Sequence, residues 1–329
     1  MSDLLGRVAH DLAAAHGAAL VVIGDRLGLY RALAAGPASP SELARRTSTH
    51  ERYLREWLRN QAASGYVSQH GETYSLSHEQ AQVFAAEGGP AFAVPAFQLA
   101  AGLSGAIDAA VEAFRTGSGI DPGRYPADVR EGIARGSAAL AQARLASEWL
   151  PSDVAARLGE GGGGADLGCG SGGVVRALAA SFPRARWLGL DVDDAALDRA
   201  RRESGDRVRF ERGSSGSLTG AWDLVTCVDT LHDLPDPLAA ARDVRRALAP
   251  DGCFLVVEPC VVDRPEVFAR LVGAISTLYC VPVGRAGGGE GRGALGDLPE
   301  LLQLLGAAGF TRVRVVARLP LHVVVEARP

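Results

Sequence analysis

The sequence predicts a doubly wound, mainly parallel α/β sheet of seven strands behind an all-helical N-terminal domain with a winged-helix arrangement. Three observations carry this. From residue 165 onward, short apolar or β-branched runs alternate with helical runs, the pattern of parallel strands joined by crossover helices. The first of these strands enters a glycine-rich turn, ADLGCGSGGVV. The chain ends in RVRVVARLPLHVVVEARP, two strands joined at Leu319-Pro320, which place an antiparallel strand in an otherwise parallel sheet. GEGGGG at 159–164 is flexible punctuation, and the expected domains are 1–155 and 156–329.

At the N-terminus, Leu4, Leu5, Val8 and Leu12, then Leu20, Ile23, Leu27 and Leu29, recur at helical spacing. They predict two amphipathic helices, ended by Gly36-Pro37. Ser39, Pro40 and Glu42 form a capping-box signature with proline at the first helical position. Thr49 is the expected cap of the next helix, with Tyr53, Trp57 and Leu58 on its apolar face and Gly65 as its stop. Tyr66-Val67, Gly71 and Tyr74 through Leu76 read as a short hairpin, completing helix, turn, helix and wing. Residues 79–158 are Ala-rich and mostly helical, with a loop at 117–123.

In the second domain, helices are expected at 174–181, 195–202, 237–248 and 298–308, with Gly309 as the last stop. Strands are expected at 165–167, 186–190, 208–210, 223–228 and 253–257. The second runs into Asp191 and the fifth into Glu258.

Composition narrows the function. The 329 residues are 47% hydrophobic with a net charge of −4, which gives no support to a nucleic-acid or anionic-membrane partner. All 34 basic residues are arginine, a signature of a GC-rich genome rather than of phosphate binding. Arg52, Arg55 and Arg59 are offset by Glu51 and Glu56, so they are expected as a solvated face of i,i+4 pairs, not as a DNA-reading stripe. Five cysteines, an odd number with no CxxC, suit a reduced cytoplasmic protein better than a disulfide framework or zinc site. The start, MSDLLGRVAHDL, lacks a signal-peptide pattern, and runs such as 18–23 are too short to span a membrane.

The glycine turn fits two patterns. Gly168, Gly170 and Gly173 fit GxGxxG, a dinucleotide signature. Asp166, Gly168, Gly170 and Gly172 fit DxGxGxG, the pattern of class I methyltransferases, which bind S-adenosylmethionine (AdoMet). Either ligand needs a sharp turn and close backbone approach. Asp166 favours AdoMet, because a carboxylate repels a pyrophosphate and attracts an ammonium. The separate domain in front and the C-terminal hairpin point the same way. Asp191 can bind ribose hydroxyls of either nucleotide.

TLHDLPDP places His232 and Asp233 after the fourth strand, at the carboxyl edge where such sheets bind ligands. A histidine titrates near ~6.5 when free and can take a proton from an acceptor hydroxyl. Asp233 is expected to cap the helix that follows. A metal on His232 and Asp233 lacks an evident third ligand, and none is expected.

DLGCGSGG, GLDVD, LHDLPDP, LVVEP and AAGF, in this order, resemble the motifs of the plant-type O-methyltransferase superfamily. SELARRTSTHERYLREWLRNQAASGYV is similar to the winged-helix domain of its bacterial members. The resemblance covers nearly the whole chain and is more specific for fold and cofactor than for the reaction. It implies His232 as general base, Glu258 as its orienting carboxylate and Glu290 in GGGEGRG as an assistant, although the spacing from Glu290 to AAGF is longer here. It implies AdoMet held by Asp166, Gly168, Gly170 and Asp191, with Val192, Ser214, Ser215 and Asp229 completing the set. It also implies a homodimer through the N-terminal domain, which covers the partner's substrate site.

Two positions depart from that family. Ser214 stands where many relatives carry an acid that reads adenine, and Leu234 replaces the aromatic after the HD pair. The insertion 261–297 is expected to cover a small, mainly apolar acceptor, with Ser276, Thr277 and Tyr279 as polar handles; Phe92–Phe114, Tyr125 and Trp149 are further candidates for the pocket or the core. O-methylation of a phenol or other hydroxyl in natural-product metabolism is the leading reading. C-methylation at an acidic carbon, an AdoMet-binding relative without methyl transfer, and a winged-helix transcription regulator are the alternatives.

Overall fold

The computed structural model describes residues 2–205, 207–260, 266–294 and 298–329, without the side chain of Ser2. The chain forms two compact units: Met1–Ser104 with Ala127–Ala139, and Gly105–Pro126 with Leu140–Pro329. These units are discontinuous in sequence, whereas the parting near residue 155 read from sequence is a single cut. Leu145, Trp149, Val154 and Leu158 are buried in one cluster with sheet residues such as Leu224 and Leu255. The apolar payload of this segment thus belongs to the sheet unit.

The first unit has the predicted winged-helix order. Helices Ser2–Arg26, Leu29–Ala34, Pro40–Thr47 and Glu51–Ala63 precede a hairpin of β1 (Ser68–His70) and β2 (Thr73–Ser75). Its core is aromatic. Tyr30 stacks on Phe84 at 5.0 Å and meets Trp57 edge-on at 5.1 Å, and its hydroxyl donates to Gln61 at 2.5 Å. Ser39 accepts from the Glu42 amide with Pro40 at the first helical position, but the Glu42 carboxylate is bound by Arg45 and Arg46, so only half of the capping box forms. His50, not Thr49, caps the next helix, its Nδ1 accepting from the Arg52 amide at 3.2 Å. Trp57 and Leu58 are buried as expected, whereas Tyr53 is 79% exposed. Arg52, Arg55 and Arg59 make the anticipated pairs with Glu56 and Glu51.

The second unit holds β3 (Gly163–Leu167), β4 (Arg186–Asp191), β5 (Val208–Arg212), β6 (Trp222–Val228), β7 (Leu248–Pro259), β8 (Arg312–Arg318) and β9 (His322–Arg328). Their order is β5-β4-β3-β6-β7-β9-β8. β3 through β7 pair in parallel, and β9 runs antiparallel between β7 and β8. The central strands are buried on both faces, and their residues alternate between them. Phe254 and Val256 pack on one face; Cys253, Leu255 and Val257 pack on the other. Strand order reverses between β3 and β6, which opens a crevice at their carboxyl ends.

Two helical runs, Val94–Thr116 and Glu266–Ala286, are apolar and long enough to cross a membrane by composition alone. The first is broken by the tight turn Ser104–Ala106 into two ten-residue helices, each too short to span. The second carries Ser276 and Cys280 buried within the fold.

Candidate active site

Four strand ends build the site. β3 ends in the glycine turn, where the Gly168 and Cys169 amides both donate to the Leu190 carbonyl, at 2.8 and 3.0 Å. The Gly170 amide donates to Asp191 Oδ2 at 2.7 Å, and Asp191 Oδ1 accepts from the Asp193 amide at 2.9 Å. Burial lifts the Asp191 carboxyl above its ordinary range, against these backbone donors. A Cβ on Gly168, at φ +74°, would come within 2.2 Å of Thr230; one on Gly170, at φ +51°, would meet nothing within 4 Å. The backbone at Gly170 therefore faces open space beside a strand-end carboxylate, a cradle that suits a nucleoside ligand.

Asp166 lies one layer deeper and is 2% exposed. Thr226 Oγ1 donates to its Oδ1 at 2.6 Å. Burial pushes its carboxyl up to about 7, although Thr226 opposes the shift. A cation brought to this carboxylate would offset its desolvation, which fits the ammonium of AdoMet and not a pyrophosphate. Val192, just past β4, is apolar and 64% exposed, so a flat base can lie against it. Three expected contacts remain. Ser214 is exposed, Ser215 Oγ donates to Asp243 at 2.8 Å, and Asp229, at φ +50°, holds His322 Nε2 on its Oδ1 at 2.8 Å. The Ser215 hydroxyl and the Asp229 carboxylate are thus already engaged within the protein.

After β6 the chain makes a single tight turn, Leu231–Asp233. Glu258, at the end of β7 and 6% exposed, organises it. Its Oε1 accepts the amides of Thr230 and Leu231, at 3.2 and 2.9 Å. Its Oε2 accepts the His232 amide at 3.3 Å and stands 2.6 Å from His232 Nδ1. This fixes the ring and leaves Nε2 as the nitrogen that can exchange a proton. Burial works against a charged ring, but Glu258 and then Asp233 outweigh it, holding the His232 imidazolium well above the ordinary histidine range.

Asp233 does not cap the following helix. Asp236 does, accepting from the Ala239 amide at 2.8 Å, because Pro237 fixes the first helical position one residue later. Asp233 instead stays at the ring, its Oδ1 3.2 Å from His232 Nε2, and burial pushes its carboxyl up to about 7. Glu290 does not join the His232–Glu258 pair. It is exposed, and the bond made there is from Arg285 to its carbonyl, at 3.4 Å. The glycines beside it still pack on the turn: a Cβ on Gly289 would stand 2.9 Å from Pro235 Cα. The segment is near the site, but its carboxylate points elsewhere.

The insertion lies partly outside the described residues, at 261–265 and 295–297. Of its polar handles, Ser276 accepts the Ala294 amide at 2.9 Å and Thr277 donates to the Gly273 carbonyl at 2.8 Å. Tyr279 packs on Tyr125 with centroids 5.0 Å apart, while the Tyr125 hydroxyl donates to the Leu278 carbonyl at 2.8 Å. Burial raises the Tyr279 phenol, and Asp233 and Asp191 add to the effect. This places Tyr279 in the field of both the base turn and the cradle. Trp149 is core, as are the neighbours it packs with.

Sequence reading passed over Cys280 and His322. Neither belongs to a spaced motif, so no local pattern marks them.

Residues 165–254 match the family model of a methyltransferase domain, and residues 15–86 match that of an Rv2258c-like winged helix-turn-helix domain. The chain carries a methyltransferase domain. Such domains draw their methyl group from AdoMet, and the open cradle with one buried and one half-buried carboxylate fits that cofactor. The chain spans 60% or less of the length of the first curated relatives it matches. It is 28% identical over 319 residues to O-methyltransferase SfmM3 of Streptomyces lavendulae, covering 90% of this chain and 92% of that one. In fold it is similar to the mitomycin 7-O-methyltransferase MmcR, with a TM-score of 0.67, 22% identity, and coverage of 100% of this chain and 98% of that one. It is likewise similar to CalO1, a methyltransferase in calicheamicin biosynthesis with SAH bound, at a TM-score of 0.66, 21% identity and full coverage of both chains.

Proposed function

We propose that this chain is an AdoMet-dependent O-methyltransferase acting on a hydroxyl, preferably a phenol, of a small and mainly apolar natural product. The observation that carries the reading is the 2.6 Å pairing of His232 Nδ1 with Glu258 Oε2, at a strand edge shared with the glycine turn. Glu258 holds the tautomer and stabilises the charged ring once a proton arrives. Its effect on His232 also brings the base closer to the ~10 of a free phenol, so the transfer is less uphill.

Bound AdoMet supplies an activated methyl on a sulfonium. Asp166, Gly168, Gly170, Asp191 and Val192 hold it, the carboxylate of Asp166 facing its cationic end. The acceptor hydroxyl enters at His232 Nε2, moving the Asp233 carboxylate aside, while Tyr279 and Tyr125 give an aromatic wall. In-line displacement then depends mainly on positioning. The exposed stripe of Leu4, Leu5, Val8 and Leu12 supports a dimer through the first helix. The five free, buried cysteines suit the cytoplasm.

The test is calorimetric titration of wild type and His232→Ala with AdoMet and S-adenosylhomocysteine, followed by turnover on a panel of phenols and 2-oxo acids. Equal cofactor binding with methylation lost only in the variant supports the base. Methylation of a 2-oxo acid and of no phenol would move the reading to carbon, and undiminished turnover by the variant would remove His232 from it.

A further inference from the structure

The face of His232 away from Glu258 meets a second set of groups. Asp233 Oδ1 is 3.2 Å from Nε2 and is fully buried with no partner in hydrogen-bonding geometry, although the Cys280 thiol acts electrostatically on both His232 and Asp233. Cys280 reaches the same point from the insertion. One ligand atom each of His232, Asp233 and Cys280 lie within 4.8 Å of one another, and Cys280 is a free thiol. It ends the widened helical turn Ser276–Cys280, the kind of π turn that re-aims a side chain and recurs at functional sites.

Imidazole, carboxylate and thiolate are the ligand types of zinc, with bonds of ~2.0–2.3 Å. A tetrahedron built on such bonds has edges of roughly 3.3–3.6 Å. The His232–Asp233 separation of 3.2 Å is close to an edge, and the thiol has at most about 1.5 Å to close. On the far side of the ring, Nδ1 meets Glu258 at 2.6 Å, the carboxylate–histidine arrangement that orients a metal-binding imidazole. An orphaned buried carboxylate oxygen is the feature a cation would satisfy.

We propose that His232 Nε2, the Asp233 carboxylate and Cys280 Sγ bind one zinc-type divalent cation, with a fourth position open to water or an acceptor oxygen. On binding, the Cys280 thiol proton and any proton on Nε2 or on the Asp233 carboxyl pass to solvent. The dication then meets one thiolate and one carboxylate, leaving the three-ligand site neutral. The filled site holds the Nε2 lone pair and switches methyl transfer off. That consequence rests on His232 being the base; the binding does not.

The test is cobalt(II) titration of the chelator-treated full chain. One equivalent of cobalt is expected to give tetrahedral visible absorption with a thiolate-to-cobalt charge-transfer band, both displaced by zinc. Cys280→Ser abolishes the charge-transfer band. Asp233→Asn keeps it but weakens cobalt affinity by about tenfold or more, at least the effect of losing an outer partner. No cobalt uptake by wild type, or a charge-transfer band that survives in Cys280→Ser, overturns the site. Turnover lost with one equivalent of zinc and recovered on chelation supports the switch. Turnover unchanged by bound zinc overturns the switch and takes the role of base from His232, while the metal site stands.

Discussion

His232 Nδ1 stands 2.6 Å from Glu258 Oε2 across 26 residues of chain, and the same carboxylate gathers the amides of Thr230, Leu231 and His232. One side chain thus builds the turn and aims the His232 ring. Glu258→Ala leaves these buried donors unmet and is expected to cost about 2–4 kcal/mol of stability, read by denaturant unfolding. Glu258→Gln keeps an acceptor oxygen but not the charge, so kcat falls by ~10-fold or more with AdoMet affinity unchanged. His232→Ala loses ~10²–10⁴-fold in kcat.

Asp233 and Glu258 both raise His232. A raised base is unprotonated only at higher pH, so kcat/KM rises with pH above the ordinary histidine range. Asp233→Asn removes one of the two carboxylates and moves that rise to lower pH. A profile that stays in place in Asp233→Asn would take Asp233 out of the base's surroundings.

Asp166 gives a stability prediction with a defined sign. Its carboxyl titrates at about 7 in the folded chain against an ordinary 3.8. Between those values the unfolded chain has released the proton and the folded chain keeps it, so stability falls as pH rises through that window and levels off above about 7. The loss is of order a few kcal/mol. Thermal melts should show it, Asp166→Asn should flatten it, and saturating AdoMet should restore more stability at pH above the window than below.

Two glycines of one turn should respond differently. Gly168→Ala drives a methyl into Thr230 at 2.2 Å and should weaken both folding and AdoMet binding. Gly170→Ala meets no protein atom within 4 Å, so its penalty is the left-handed backbone, about 1–2 kcal/mol, plus any loss read directly as AdoMet affinity by calorimetry.

Glu290 is exposed. Glu290→Gln should change kcat by less than about twofold and stability by under ~0.5 kcal/mol. A large kcat loss would show that the glycine segment turns its carboxylate inward during turnover.

Local patterns determined much of this protein. Short apolar or β-branched runs, helical spacing and the glycine turn are short-range features, so the sheet, the winged helix and the strand-end positions of Asp166, Asp191, His232 and Glu258 were legible in the chain. The helix start after TLHDLPDP was legible only as a region, because Asp233 and Asp236 both suit a cap and proline placement chose between them. Tertiary packing decided the rest. It brought Cys280 to His232 and Asp233, paired His322 with Asp229 across 93 residues, set Thr226 under Asp166 and turned Glu290 out to solvent. Such contacts depend on strand register and on how an insertion packs, and neither leaves a periodic mark in the sequence around the residues concerned.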